Sequence, residues 1–164
     1  MKNYYIFRHG DTFATKYSRG FYGTGIMRAS ILPEFTGSIV KLGQHLKKIS
    51  TDFQVSSQLK RCKETAAIVT EQSGKQFVYD ARLNEFFFET FGHFSKRVSS
   101  FLQDMEKSSH NSIVICTHGA VIAALVRFLQ NETFGVRNLR EFPSPGVLVT
   151  VENGIVRELN FNEK

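Results

Sequence analysis

Short apolar runs and helix-spaced apolar positions alternate along most of the chain. Asn3–Phe7 packs tyrosine, isoleucine and phenylalanine into a run that predicts a short buried strand, stopped by Gly10. Thr15 to Ser30 holds Gly20, Gly23 and Gly25 with little periodicity and predicts a loop. From Glu34 to Ile49, the apolar positions Ile39, Leu42, Leu46 and Ile49 recur at helical spacing. Phe53–Ser56 predicts a strand, and Leu59–Gln72 a helix that stops at Gly74. Gln76–Tyr79 predicts another strand, leading into Phe86-Phe87-Phe88. Ser95 is placed to cap a helix to about Ser108, with Val98, Phe101, Leu102 and Met105 inward. Ser112–Cys116 is a β-branched strand and Ala120–Leu129 a helix after Gly119. Val147–Val151 and Ile155–Asn160 flank Glu152-Asn153-Gly154, where Asn-Gly signals a hairpin.

Strands and helices in alternation predict an α/β fold: a three-layer sandwich with a mostly parallel central sheet, helices on both faces and one antiparallel edge strand. A length of 164 residues predicts a single domain over residues 1–164 with a full core and a minimal cap. Apolar residues at 41% and charged residues at 22% exclude a disordered chain. The longest uninterrupted apolar run, Ala120 to Val126, is seven residues, too short to span a membrane, so no membrane partner is expected. Tyr4 to Phe7 is too short for the apolar core of a signal peptide, and Arg8-His9 ends it. The two cysteines, Cys62 and Cys116, form no disulfide framework and no zinc spacing, which favours a cytoplasmic location. A net charge of +6 suits an anionic partner, yet no basic stripe or nucleic-acid motif accompanies it, so no nucleic acid is expected to bind.

One local cluster adds chemistry to that charge. Arg8-His9-Gly10-Asp11-Thr12 follows the first strand, and Thr117-His118-Gly119 follows the strand at Ser112–Cys116. Ligands of open α/β sheets bind beyond the carboxyl ends of the strands, so these two histidines, each followed by glycine, are expected to converge. A single histidine is usually structural; the matched placement of two makes a shared site the better reading.

These segments resemble the histidine phosphatase superfamily, the phosphoglycerate-mutase-like enzymes. Arg8-His9-Gly10-Asp11-Thr12 is similar to the family's Arg-His-Gly-Glu-Thr signature, with Asp at the fourth position. The run from Ser56 through Ala66 is similar to its Ser-Ser-Pro-Leu-x-Arg-x-x-Gln-Thr-Ala segment, placing Arg61 at the arginine. Ile31-Leu32-Pro33-Glu34-Phe35 echoes Leu-Thr-Pro-Glu-Gly, Leu83-Asn84-Glu85 matches Leu-x-Glu, and Ile113 to Gly119 matches the closing strand and Ser/Thr-His-Gly. The matches keep family order across roughly residues 3–130.

The resemblance implies that His9 is a nucleophile that becomes phosphohistidine, and that Arg8, Arg61 and His118 hold the phosphoryl oxygens. Phosphoryl transfer asks for such a ring of positive donors around the equatorial oxygens and an in-line nucleophile. Nearby arginines are expected to keep His9 neutral. Glu85 is implied as the general acid that protonates the leaving oxygen and then activates water. The family usually continues with glycine and a tryptophan-containing tail. This chain instead continues Phe86-Phe87-Phe88-Glu89, which leaves Glu89 as a rival acid. Thr15 stands where many members carry a phosphate-contacting Asn, and is a candidate supporting hydroxyl. No metal and no cofactor is expected.

Cys116 at a strand end raises a cysteine phosphatase, but that chemistry needs an arginine six residues on, and Ile122 stands there. The phenylalanines from Phe86 to Phe94 read as core, or as a docking surface where several rings are exposed. Glu85 and His118 are 33 positions apart, mostly one helix and one strand, whereas mutases and many small-molecule phosphatases of the family carry a much longer insertion that roofs the site. A mutase must exclude water and a phosphatase must admit it, so the short segment predicts a phosphatase. The expected partner is a phosphorylated small molecule or a phosphoprotein. Leu83-Asn84-Glu85 favours phosphoesters over protein phosphohistidine; the remaining alternative is a non-catalytic phosphate-binding regulatory module.

Overall fold

The fold is described from a computed structural model, and the structure describes residues 1–17 and 22–163. Residues 18–21, including Gly20 of the expected loop, lie outside the described residues. Six strands form one sheet: β1 (Asn3–Arg8), β2 (Phe53–Ser56), β3 (Val78–Tyr79), β4 (Ser112–Thr117), β5 (Val147–Glu152) and β6 (Ile155–Asn160), in the order β3-β2-β4-β1-β5-β6. β1 to β4 run parallel, and the hairpin β5–β6 adds an antiparallel pair at one edge. Its turn places Asn153 at φ 55° and Gly154 at φ 74°, the left-handed pair that Asn-Gly supplies at low steric cost.

The helices are α1 (Phe13–Tyr17), α2 (Gly37–Lys47), α3 (Lys60–Ser73), α4 (Phe91–Lys107) and α5 (Gly119–Leu129). Alternation along the central strands divides the core in two. Tyr4 and Ile6 of β1, with Ile113 and Ile115 of β4, face α4 and α5; Tyr5 and Phe7, with Val114 and Cys116, face α2 and α3. The sheet is therefore covered on both faces, which is why β1 and β4 read as continuous apolar runs rather than alternating ones.

Three element boundaries differ from the sequence expectation. The loop expected over Thr15 to Ser30 overlaps α1, because Thr12 and Thr15 exchange bonds of the capping-box type: Thr12 N–H donates to Thr15 Oγ1 at 2.8 Å, and Thr15 N–H to Thr12 Oγ1 at 3.2 Å. The helix expected from Glu34 begins at Gly37, after a 3-10 turn at Pro33–Phe35. The helix expected to start at Ser95 starts at Phe91, capped by Thr90, whose hydroxyl accepts from His93 N–H at 3.1 Å. Phe91 and Phe94 then extend the inward stripe by one turn.

Candidate active site

Register builds the site. In the β1–β4 pair Arg8 stands opposite Thr117, so the next residues, His9 and His118, emerge side by side; His9 N–H donates to the Thr117 carbonyl at 3.0 Å. Their ring centroids are 5.2 Å apart. β2 ends level with them, Ser56 opposite Cys116, and Ser57 N–H donates to the Cys116 carbonyl at 3.0 Å. Arg61 enters from the first turn of α3, whose Thr65 hydroxyl accepts from Gly10 N–H at 2.8 Å and donates to the Arg61 carbonyl at 2.7 Å. His9, Arg61 and His118 are all fully buried.

Glu85 arrives on the segment between β3 and α4, tied down from three sides. The Thr117 hydroxyl donates to the Leu83 carbonyl at 2.6 Å, Asn84 Oδ1 accepts from Ser57 Oγ and Gln58 N–H at 2.9 Å each, and Arg97 Nη2 donates to the Glu85 carbonyl at 3.0 Å. Its Oε2 then lies 3.5 Å from His118 Nδ1 and 3.6 Å from Arg61 Nη2. Both contacts are electrostatic, too long for strong hydrogen bonds. Glu89 goes elsewhere: its carboxylate binds Arg97 at 2.5 Å and His93 at 2.6 Å. Partial burial alone would raise the Glu89 pKa, but Arg97 and His93 overcome that and hold it below the ordinary value.

The hydrogen bonds fix which ring nitrogens are available. His9 Nδ1 meets the Gly10 carbonyl at 2.8 Å; a carbonyl only accepts, so Nδ1 carries the hydrogen and Nε2 keeps its lone pair. For His118, Ser57 Oγ donates to Asn84 Oδ1 and therefore accepts from His118 Nε2–H at 2.8 Å. Burial lowers the pKa of both histidines well below the ordinary value. The Arg8 and Arg61 charges reinforce it for His9; His9, Arg61 and Arg8 do so for His118. Burial pushes the Glu85 pKa up, against the opposing pull of Arg61 and Arg8.

Two aromatic rings wall the arginines. The Arg8 guanidinium carbon is 4.8 Å from the Phe142 ring centroid, and that of Arg61 is 4.4 Å from the Tyr22 ring. Arg61 Nη1 donates to the Ile26 carbonyl. Among the described residues, four buried side-chain nitrogens have no hydrogen-bond partner: Arg8 Nε, Arg61 Nε, Arg61 Nη2 and His118 Nδ1. All four belong to this one cluster, an arrangement that costs stability; an anion would satisfy the three arginine donors, and an anion that brings a proton would satisfy His118 Nδ1 as well.

One ligand atom each from His9, Glu85 and His118 lies within 4.8 Å of the others, close enough to suggest a cation site. The charges argue against one. A cation there would meet the Arg61 guanidinium across the same Glu85 oxygen, with the buried Arg8 charge beside it.

Of the sequence candidates, the structure brings Arg8, His9, Arg61, Glu85 and His118 together. Thr15 is not joined to His9, Arg61 or His118 by any hydrogen bond. Its hydroxyl serves the α1 cap and meets Asp11 Oδ1 at 3.2 Å, on the wall of a cleft of about 650 Å³ shared with Arg8. Phe94 is buried, and Phe86 and Phe91 pack on the core, so only Phe87 and Phe88 of the phenylalanine run are exposed. Three contributors were not assigned from sequence: Ser57, Asn84 and Tyr22. Ser57 and Asn84 lie inside quoted motifs, and their position beside Arg61 and Glu85 is a usable signal. Tyr22 sits in aperiodic sequence, which carries none.

The model of the histidine phosphatase superfamily (branch 1) matches this chain over residues 4–91 and 88–151. The chain is 25% identical to a candidate phosphoserine phosphatase, number 2, of Hydrogenobacter thermophilus, across 85% of this chain and 83% of the relative. Its fold is similar to that of a candidate α-ribazole-5′-phosphate phosphatase from Escherichia coli, with a TM-score of 0.81, 19% identity and coverage of 99% and 98% of the two chains. It is also similar to a mycobacterial glucosyl-3-phosphoglycerate phosphatase solved with VO3, with a TM-score of 0.75, 19% identity and full coverage of both chains. The chain belongs to the histidine phosphatase superfamily.

Proposed function

We propose that the chain hydrolyses phosphomonoesters through a phosphohistidine on His9, without a metal ion. The observation that carries this reading is the set of three unpartnered buried donors on Arg8 and Arg61, gathered with the free Nδ1 of His118 around an uncharged imidazole whose Nε2 lone pair is available. A phosphoryl group brings the oxygens those donors lack, and the neutral histidine brings the nucleophile.

In the first step the Nε2 lone pair forms the N–P bond as the ester P–O bond breaks, and the proton of Glu85 passes to the leaving oxygen. In the second, the Glu85 carboxylate takes a proton from water as the water oxygen bonds to phosphorus. The N–P bond then breaks, its electron pair returns to Nε2, and inorganic phosphate leaves. The raised pKa of Glu85 suits the acid of the first step, whereas Glu89, held ionised by Arg97 and His93, does not. His118, once its Nδ1 is protonated next to a phosphoryl dianion, donates to an equatorial oxygen while Ser57 steadies its other nitrogen.

Full burial of His9 favours a phosphorylated small molecule over a folded phosphoprotein. The short segment from Glu85 to His118 supports hydrolysis rather than a mutase reaction.

A phosphatase assay in the presence of a chelator, on wild type and His9→Ala, tests the reading. The wild type is expected to turn over a generic aryl phosphate and to trap an acid-labile phosphoenzyme; His9→Ala is expected to do neither. Undiminished turnover by the variant, or activity lost with chelation, sinks it.

A further inference from the structure

We propose that Tyr22 is a further catalytic residue, whose phenol holds Nε2 of His9 before substrate arrives and then donates to an oxygen of the phosphoryl group in transfer. This rests on the reading of His9 as the nucleophile. The phenol oxygen lies 3.4 Å from His9 Nε2, and no other side chain among the described residues hydrogen-bonds that atom. Since Nδ1 donates to Gly10, Nε2 can only accept, and the phenol O–H is the donor.

The phenol's second contact keeps that hydrogen available. Thr12 Oγ1 lies 3.2 Å from the phenol oxygen and donates to it, leaving the tyrosine hydrogen directed at His9. Thr12 is itself buried and fixed by its exchange of bonds with Thr15, and the Tyr22 ring packs on the Arg61 guanidinium at 4.4 Å. The capping box at Thr12–Thr15 and the first turn of α3 thus clamp the phenol against the reacting atom. Burial raises the Tyr22 pKa, so the phenol stays protonated.

A purely structural tyrosine gives its hydrogen to an inert acceptor. Here the acceptor is the lone pair that the reaction consumes. When that pair becomes the N–P bond, the O–H loses its partner just as negative charge gathers on the phosphoryl oxygens beside it. The hydrogen bond passes from nitrogen to oxygen while the proton remains on Tyr22; the leaving oxygen takes its proton from Glu85 as before. The contact with Nε2 must be given up for attack and is replaced only as the phosphoryl group arrives, so the gain falls on the transition state.

Tyr22→Phe keeps the ring against Arg61 and removes only the O–H. On an aryl phosphate, kcat is expected to fall about 10- to 100-fold with KM changed less than about threefold, the loss of one charge-assisted donor. Inhibition by vanadate, a five-coordinate phosphoryl mimic, is expected to weaken by a similar factor, while inorganic phosphate binds almost as before. Single-turnover quenching is expected to show slower labelling of His9. Unchanged kcat, a loss confined to KM, or equal weakening of vanadate and phosphate overturns the proposal. Should the wild type label no histidine, the nucleophile reading fails and this proposal with it; an active wild type with an unaffected Tyr22→Phe overturns Tyr22 alone.

Discussion

Replacing Glu85 by Gln, read through kcat/KM, isolates general-acid catalysis in the first step, because the water activation assigned to Glu85 comes after the alcohol has left. Glutamine keeps the shape, and the backbone anchors through Leu83, Asn84 and Arg97 do not involve the carboxyl group. What disappears is the carboxyl group whose Oε2 lies 3.5 Å from His118 Nδ1 and 3.6 Å from Arg61 Nη2, and with it the transferable proton. General acids contribute about 10²- to 10⁴-fold, roughly 3 to 5 kcal/mol of barrier, when the leaving oxygen is basic. Alkyl phosphoesters should therefore lose kcat/KM over that range, whereas aryl esters, whose oxygen departs as a stable anion, should lose less than about tenfold. Neutral glutamine adds no repulsion of a dianionic substrate, so KM should not rise. The assay is steady-state kinetics on a series of esters graded by leaving-group pKa, plotted for wild type, Glu85→Gln and Glu89→Gln. The wild-type plot should be shallow, the Glu85→Gln plot steep, and the Glu89→Gln plot parallel to wild type. An equal fall in kcat/KM for all esters with Glu85→Gln refutes the acid assignment, and a steep plot for Glu89→Gln transfers it.

Stability should fall in acid, because His9 and His118 are buried with pKa values well below the ordinary 6.5. The unfolded chain binds protons that the folded histidines refuse. Their contribution is therefore whole above about pH 6.5 and lost below it, by about 1.4 kcal/mol per pH unit for each histidine until its folded-state pKa is reached. Glu85 opposes this where its raised pKa lets the folded chain hold a proton, so the clean measurement is a difference. Urea denaturation at pH 7 and pH 5.5 should show a gentler acid loss for His9→Ala than for wild type, and identical losses sink the linkage. Separately, a methyl on Gly119 would come within 2.6 Å of Phe142 ring carbons. Gly119→Ala should thus push Phe142 off Arg8 and cost about 1–2 kcal/mol despite better helix propensity. Thermal melts and KM check this, and a variant as stable and as tight-binding as its parent contradicts the packing.

The residues legible in the sequence are those whose role depends on strand ends. Asn3–Phe7 and Ser112–Cys116 are apolar on both faces, so they were readable as central strands, and the residues just beyond them had to share an edge of the sheet. That logic places His9 beside His118. Asn153-Gly154 was equally readable, because the turn needs positive φ at both residues. Glu85 against Glu89 was not, since the two flank the same run, Phe86-Phe87-Phe88. The difference arises from Arg97, eight residues beyond Glu89 and in the second turn of α4, which takes the Glu89 side chain and only the Glu85 carbonyl. The α4 boundary was hidden for a related reason: consecutive phenylalanines blur helical spacing, and Thr90 declares itself as a cap only through its bond to His93. Tyr22 was beyond reach, because its partners, His9, Thr12 and Arg61, are assembled by tertiary packing.

The site and the fold make opposite demands, and the sheet reconciles them. Two arginines with unpartnered nitrogens, two histidines kept neutral by burial and a carboxyl with a raised pKa each oppose folding. None could be held by a loop that was free to relax, because each would turn toward water. Instead each is fixed by backbone that other bonds over-determine: His9 by the Thr117 carbonyl and Gly10, Arg61 by Thr65, Glu85 by Thr117, Asn84 and Arg97. Behind them lie apolar layers on both faces of β1 and β4, whose burial supplies the free energy that the polar cluster consumes. The compact segment between Glu85 and His118 follows from the same constraint. The strand ends and the turn before α4 already enclose His9, so no further insertion is needed to hold these groups in place.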